Sequence, residues 1–130
     1  MGNWMIKPLA EMTDVLGDYP GEMRMMSHEM DTEQVALTYR RMPAQTGGKG
    51  SYGHAHKTQE ELYLVLSGTL QFKLDDDVVD VPAQTAVRVA PEVVRSVWNE
   101  GPDDVELVIA SVKVADARAD ATYVEGFWPE

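Results

Sequence analysis

The 130-residue chain has no cysteine. Disulfides, thiolate metal sites and a cysteine nucleophile are excluded with it, and the composition fits a cytoplasmic setting. Long apolar runs are missing as well: none approaches the roughly 18 residues a membrane span needs. Met1 to Ala10 holds one lysine and no small-residue cleavage pattern, so no secretory signal is expected. Basic residues are scarce, 11 Lys and Arg against 22 Asp and Glu, for a formal net charge of −11. A field of that sign repels phosphate backbones and anionic lipid, so nucleic acid and membrane are not expected partners. An anionic small molecule stays open, because one buried arginine can hold an anion inside an acidic protein.

What is present is enough for a core. Hydrophobic residues make up 44% of the chain, which argues against wholesale disorder. The length suits a single domain over 1–130, with a barrel core over about 34–114 and short N- and C-terminal extensions outside it. Punctuation is frequent: Tyr19-Pro20-Gly21, Thr46 to Gly50, Ser67-Gly68, Asp75-Asp76-Asp77 and Asn99 to Asp104. Between these lie short segments rich in Val, Leu, Thr and Tyr, a pattern that points to a sandwich or barrel. Leu62 to Leu74 reads as a hairpin about Ser67-Gly68, with Thr69 to Leu74 alternating at the strand period. Further strands are expected over Val78 to Val81, Ala86 to Val89, Ser96 to Trp98 and Val105 to Val112.

Some segments read both ways. Thr58-Gln59-Glu60-Glu61 has the form of a capping box, but a helix from there to Gly68 would be too short to be stable without strong packing. Met23, Met26 and Met30 stand at helical spacing, and Asp31 could cap a helix through Val35 and Tyr39, so 22–42 is unresolved. Ala115 to Ala121 tolerates helix, and Gly126-Phe127-Trp128-Pro129 is an aromatic end expected to dock on the domain. The methionines read as adaptable core or interface filling. Trp4, Trp98 and Trp128 read as buried anchors.

Chemistry concentrates at His54, His56 and Glu61. On a strand, positions i and i+2 share a face about 6.6 Å apart, so both imidazoles point the same way. A carboxylate on a neighbouring strand can then face them. Imidazole and carboxylate suit Fe, Mn, Ni, Zn or Cu without choosing among them. By spacing alone, a lone His-x-His reads first as two surface or satisfied histidines. His28, in the polar stretch Met25 to Met30, reads as exposed.

Gly48-x5-His54-Ala55-His56-x4-Glu61-x6-Gly68 resembles the first motif of the cupin superfamily, with every spacing in place. Tyr63, Val65 and the Ser67-Gly68 turn also match the usual filling. The resemblance implies an all-β double-stranded β-helix, a jelly-roll-like barrel whose inward strands hold a divalent metal on two histidines, a glutamate and a third histidine. It also implies strand for Glu61 to Leu66, and a homodimer to which outward-facing Leu62, Leu64 and Leu66 could contribute. The second motif is degenerate. In its best register, Gln84 and Glu92 replace two glycines, Asn99 is kept, and Arg95 stands in the place of the third histidine.

Arginine offers only donors and cannot ligate a metal. Three readings follow. In the first, Arg95 pairs with Glu61 and fills the metal position, leaving a metal-free pocket with Tyr63 as a further partner. Alternatively His54, His56 and Glu61 bind a divalent ion unaided, while Arg95 clamps a substrate anion and Tyr63 donates a proton or hydrogen bond. In the third, His28 completes the site. The function expected is small-molecule binding by a single-domain cupin. The alternative is a metal-dependent enzyme, of dioxygenase or isomerase type, on a small anionic substrate, with Tyr63 and Arg95 as candidate catalytic residues.

Overall fold

The computed structural model describes residues 3–130. The first two positions of the expected 1–130 domain, which also open the segment read as lacking a secretory signal, lie outside the described residues. β-Branched and aromatic side chains suit a pleated, half-buried surface, and the Val-, Leu- and Tyr-rich segments form strands accordingly. In chain order these are β1 (Glu22–Met25), β2 (Val35–Met42), β3 (Thr46–Gly47), β4 (Ser51–His56), β5 (Glu61–Ser67), β6 (Thr69–Leu74), β7 (Asp77–Pro82), β8 (Thr85–Val89), β9 (Arg95–Asn99), β10 (Val105–Val112) and β11 (Ala121–Trp128). Two four-residue helices, α1 (Met26–Glu29) and α2 (Ala117–Asp120), interrupt them. None of the described helices is long and apolar enough to cross a membrane.

The strands form two antiparallel sheets. One runs β1-β2-β10-β5-β8, the other β11-β4-β9-β6-β7 with β3 added on β9. This is the expected all-β jelly-roll barrel. The inner faces meet in a core of Met42, Tyr63, Val65, Leu70, Phe72, Val81, Val89, Val105 and Leu107, each at most 5% exposed. That core fills one end. Along β2 the inward side chains pass from Met42 in the core to Arg40, Thr38 and Ala36, which line a cavity of about 660 Å³ at the other end.

Three local expectations need correcting. Ser67-Gly68 is a corner between sheets and not a hairpin turn: β5 pairs with β10 and β8, whereas β6 pairs with β7 and β9. Gly68 takes φ of 77°, and a Cβ there would lie 2.6 Å from the Asp104 carbonyl oxygen, so the corner requires glycine. The ambiguous 22–42 stretch is two strands around one helical turn, and Asp31 caps no helix through Tyr39. Trp128 is buried as expected and Trp98 is partly buried, but Trp4 is 69% exposed.

Other details follow the reading. β11 pairs with β4, so the aromatic end docks as a strand. Gln84 sits at φ of 63° where the motif has glycine, and its side-chain amide donates to the Leu66 carbonyl at 3.0 Å. Asn99 is fully buried and fixes the β9–β10 loop. Its amide donates to Met42 and Asp103 carbonyls at 2.8 Å each, and its oxygen accepts from Gly101 N–H.

Candidate metal and ligand site

The strand alternation of β4 turns His54 and His56 to the inner face, their rings meeting edge to face at 5.0 Å between centroids. Glu61 opens β5 in the facing sheet. One oxygen, Oε1, lies 3.9 Å from His54 Nε2, and the other, Oε2, lies 3.7 Å from His56 Nε2. One ligand atom from each residue falls within 4.8 Å of the others. Sequence and structure thus bring the same three residues together. His28 is exposed on α1 and is no part of the group.

A fourth residue shapes this centre. Asp120, buried at the end of α2, places Oδ2 3.1 Å from His56 Nδ1. Its carboxylate also accepts from Thr58 Oγ1 at 2.6 Å, Thr58 N–H at 3.0 Å and Gln59 N–H at 3.1 Å. These bonds, the Thr58 hydroxyl first among them, hold Asp120 below its ordinary 3.8. The amides that a capping box would have spent on a helix are spent on this carboxylate.

A carboxylate can only accept, so in the neutral form of the imidazole His56 Nδ1 carries the proton and Nε2 is the acceptor. That Nε2 is buried and has no hydrogen-bond partner. Burial first, then the charge of Arg95 and the neighbouring His56, pushes His54 down to about 4. Its imidazole is therefore neutral at neutral pH and keeps a free lone pair. Two basic nitrogens and a carboxylate face one point, with a carboxylate behind one histidine as in many metal centres. The donor set fits a divalent cation.

Tyr63 and Arg95 flank Glu61. Tyr63 donates its hydroxyl proton to Glu61 Oε1 at 2.8 Å, and burial, reinforced by Glu61, raises the phenol well above 10.0. Arg95 faces His54 across the β4–β9 pair. The side chain is fully buried. One terminal nitrogen donates to the Ala90 carbonyl at 3.1 Å and the other to the His54 carbonyl at 3.5 Å. Its Nε approaches Glu61 Oε1 at 3.6 Å without forming a hydrogen bond. The guanidinium is thus held mainly by backbone, beside the His54, His56 and Glu61 group.

Two residues escaped the sequence reading. Asp120 lies 64 positions from His56, in a stretch read only for its helix tolerance, and no local pattern announces it. Arg40 points into the cavity from β2; its inward phase follows from Met42 two residues later, once β2 is known to be a strand.

The cupin domain profile matches residues 41–111. Comparison of the sequence with curated proteins finds no match. Among solved structures, a cupin protein from Bacteroides fragilis superposes with a TM-score of 0.70 at 21% identity, over 89% of each chain. The polyketide cyclase RemF from Streptomyces resistomycificus gives 0.68 at 14% identity, over 83% of this chain and 80% of that one. A predicted oxalate decarboxylase from Thermotoga maritima gives 0.66 at 19% identity, over 85% and 100%. At these identities the structures speak for the fold, and the profile, spanning more than half the chain, speaks for the family. The chain belongs to the cupin family.

Proposed function

We propose that this cupin binds a small molecule at a divalent metal site formed by His54, His56 and Glu61. The observation that carries the reading is His56 Nε2, a buried acceptor whose tautomer is fixed by Asp120 and which no donor satisfies. Leaving such an atom unpaired costs free energy, and a cation at the focus of the three ligands would satisfy it. Imidazole and carboxylate suit Fe, Mn, Ni, Zn or Cu, and the donor set does not choose among them. When bound, the ion supplies Lewis acidity toward an oxygen of the ligand.

The chain's own residues set the terms of that chemistry. Asp120 orients His56, and Tyr63 with Arg95 holds Glu61. Arg95 adds a positive charge where a third imidazole would add a lone pair, so cation affinity is expected below that of a three-histidine site. Fewer protein ligands leave room for a small molecule on the ion. A metal-dependent enzyme is the extension of this reading, and the similar folds include a polyketide cyclase and a predicted oxalate decarboxylase. The reading includes a cytoplasmic homodimer; Leu62, 49% exposed on the outer face of β5, supplies apolar surface, and light scattering tests it.

One observation favours a metal-free binding barrel: the Arg95 guanidinium already stands 3.6 Å from Glu61 as an internal cation. Calorimetric titration of chelator-treated protein with Zn, Mn and Ni decides between them. The metal reading expects saturable uptake that is lost in His56→Ala. Absence of uptake in the wild type, with uptake gained by Arg95→His, selects the metal-free barrel.

A further inference from the structure

The acidic chain pairs most of its arginines. Arg24 and Arg41 meet Glu22, Arg41 also meets Asp104, Arg88 meets Glu60, and Arg95 meets Glu61. Arg40 is different. Its Nε is buried without a hydrogen-bond partner, as are those of Arg24 and Arg95, but unlike them it takes part in none of the ion pairs among the described residues. On the inner face of β2 its strand neighbours are Met23 of β1 and Leu107 of β10, neither of which offers an acceptor side chain. Burial works against the charge, and Tyr19, Tyr63 and Tyr52 are the groups near enough to affect it. Tyr63 feels Arg40 and Arg95 alike, which ties Arg40 electrostatically to the Glu61 end of the cavity.

A guanidinium does not lose its proton inside a protein, so an unpaired one in a partly desolvated site is a standing cost. With acids outnumbering bases 22 to 11, the lack of a partner is a matter of position and not of supply. Glu61 faces Arg95 at 3.6 Å, which leaves Arg40 as a guanidinium on the cavity wall without a carboxylate partner. Arg118 also borders the cavity, but it is exposed and water can solvate it. The surrounding walls include Met23, Met25, Tyr52 and Ile109, which suit an apolar body.

We propose that Arg40 is the anchor for a carboxylate, so that the cavity takes a small organic monoacid with its apolar body against Met23, Met25 and Ile109. The planar fork of guanidinium matches the two oxygens of a carboxylate, and one negative charge balances that of Arg40. In the metal-free protein a phosphate dianion would exceed the single charge of Arg40. The assignment rests on the proposed small-molecule function; the Arg40 contact needs no metal, and the preference for a monoanion over phosphate applies to the metal-free protein.

Benzoate, benzamide and inorganic phosphate test it, titrated at constant ionic strength into untagged full-length protein with and without prior chelator treatment, read by thermal shift. In the chelator-treated protein benzoate is expected to raise the melting temperature where benzamide and phosphate do not. Arg40→Met should weaken benzoate by roughly ten- to a hundredfold, the loss expected for a hydrogen-bonded charge. Arg40→Lys should keep part of the affinity, since it retains the charge without the fork, and Arg118→Met should leave it unchanged. Free Arg40→Met should melt no lower than wild type, because it removes an unpaired charge and keeps the chain length. Benzoate no better than benzamide, preference for phosphate in the chelator-treated protein, or an undiminished response in Arg40→Met overturns the assignment. Metal content measured on the same samples separates the two readings: a metal-loaded protein with Arg40-independent benzoate binding defeats only this one, and a metal-free protein with Arg40-dependent binding defeats only the metal site.

Discussion

The Asp120 carboxylate stands 3.1 Å from His56 Nδ1, joining the C-terminal α2 turn to a strand 64 positions earlier. One side chain thereby fixes the imidazole's tautomer and ties down the Thr58-Gln59 segment leading into Glu61.

Asp120→Asn should therefore lower metal affinity by about 10- to 100-fold, the usual effect of losing a carboxylate behind a ligating histidine. It should also lower the melting temperature. The pH dependence has a definite sign. Because the folded carboxyl is held below 3.8, the unfolded chain binds the proton more readily, and the stabilisation is fully present above that value. It is lost as pH falls through the lower, folded value. The difference in melting temperature between wild type and Asp120→Asn should be flat above 3.8 and shrink below it, as followed by circular dichroism across acid pH.

The three residues of the group were legible because His54, His56 and Glu61 lie close in sequence, and strand alternation fixes which way two of them point. Arg95 was legible through its motif register, and the structure pairs it with His54 across β4 and β9. Asp120 was not, because its contacts form only when the C-terminal segment crosses the β4–β5 turn. Arg40 was hidden for another reason: helical methionine spacing left 22–42 ambiguous, so no inward face could be assigned. The Ser67-Gly68 corner shows a similar limit. Alternation identifies β5 and β6 as strands, but it does not say that they belong to different sheets.

Arg95 is the cation that Glu61 keeps inside the barrel. Arg95→Met should destabilise the metal-free protein by about 3–5 kcal/mol, since it strands a largely buried carboxylate and leaves the Ala90 and His54 carbonyls without their donors. Arg95→His should instead strengthen metal binding, with a third imidazole facing the other two. Urea denaturation reads the first effect and metal titration the second.

Tyr63 and Tyr39 should be the last of the five tyrosines to ionise. Burial raises both, helped at Tyr63 by Glu61 and at Tyr39 by its 2.6 Å hydrogen bond to Glu106. In each case the folded phenol holds its proton more firmly than the unfolded one, so its contribution is fully present below 10.0 and is lost as pH rises further. Absorbance titration of the phenols should show two that appear only with alkaline unfolding. In Tyr63→Phe that number should fall to one, and stability near neutral pH should drop by about 1.5–3 kcal/mol, the range for a hydrogen bond to a charged group.

Elemental analysis of untagged protein, expressed and purified without chelators, tests the central claim most directly. Wild type, His56→Ala and Glu61→Gln would be measured side by side. A site built from His54, His56 and Glu61 predicts near-stoichiometric divalent metal in the wild type and its loss from both variants, with the fold retained. Metal-free wild type that also fails to take up added metal, or metal retained equally in all three proteins, would contradict it.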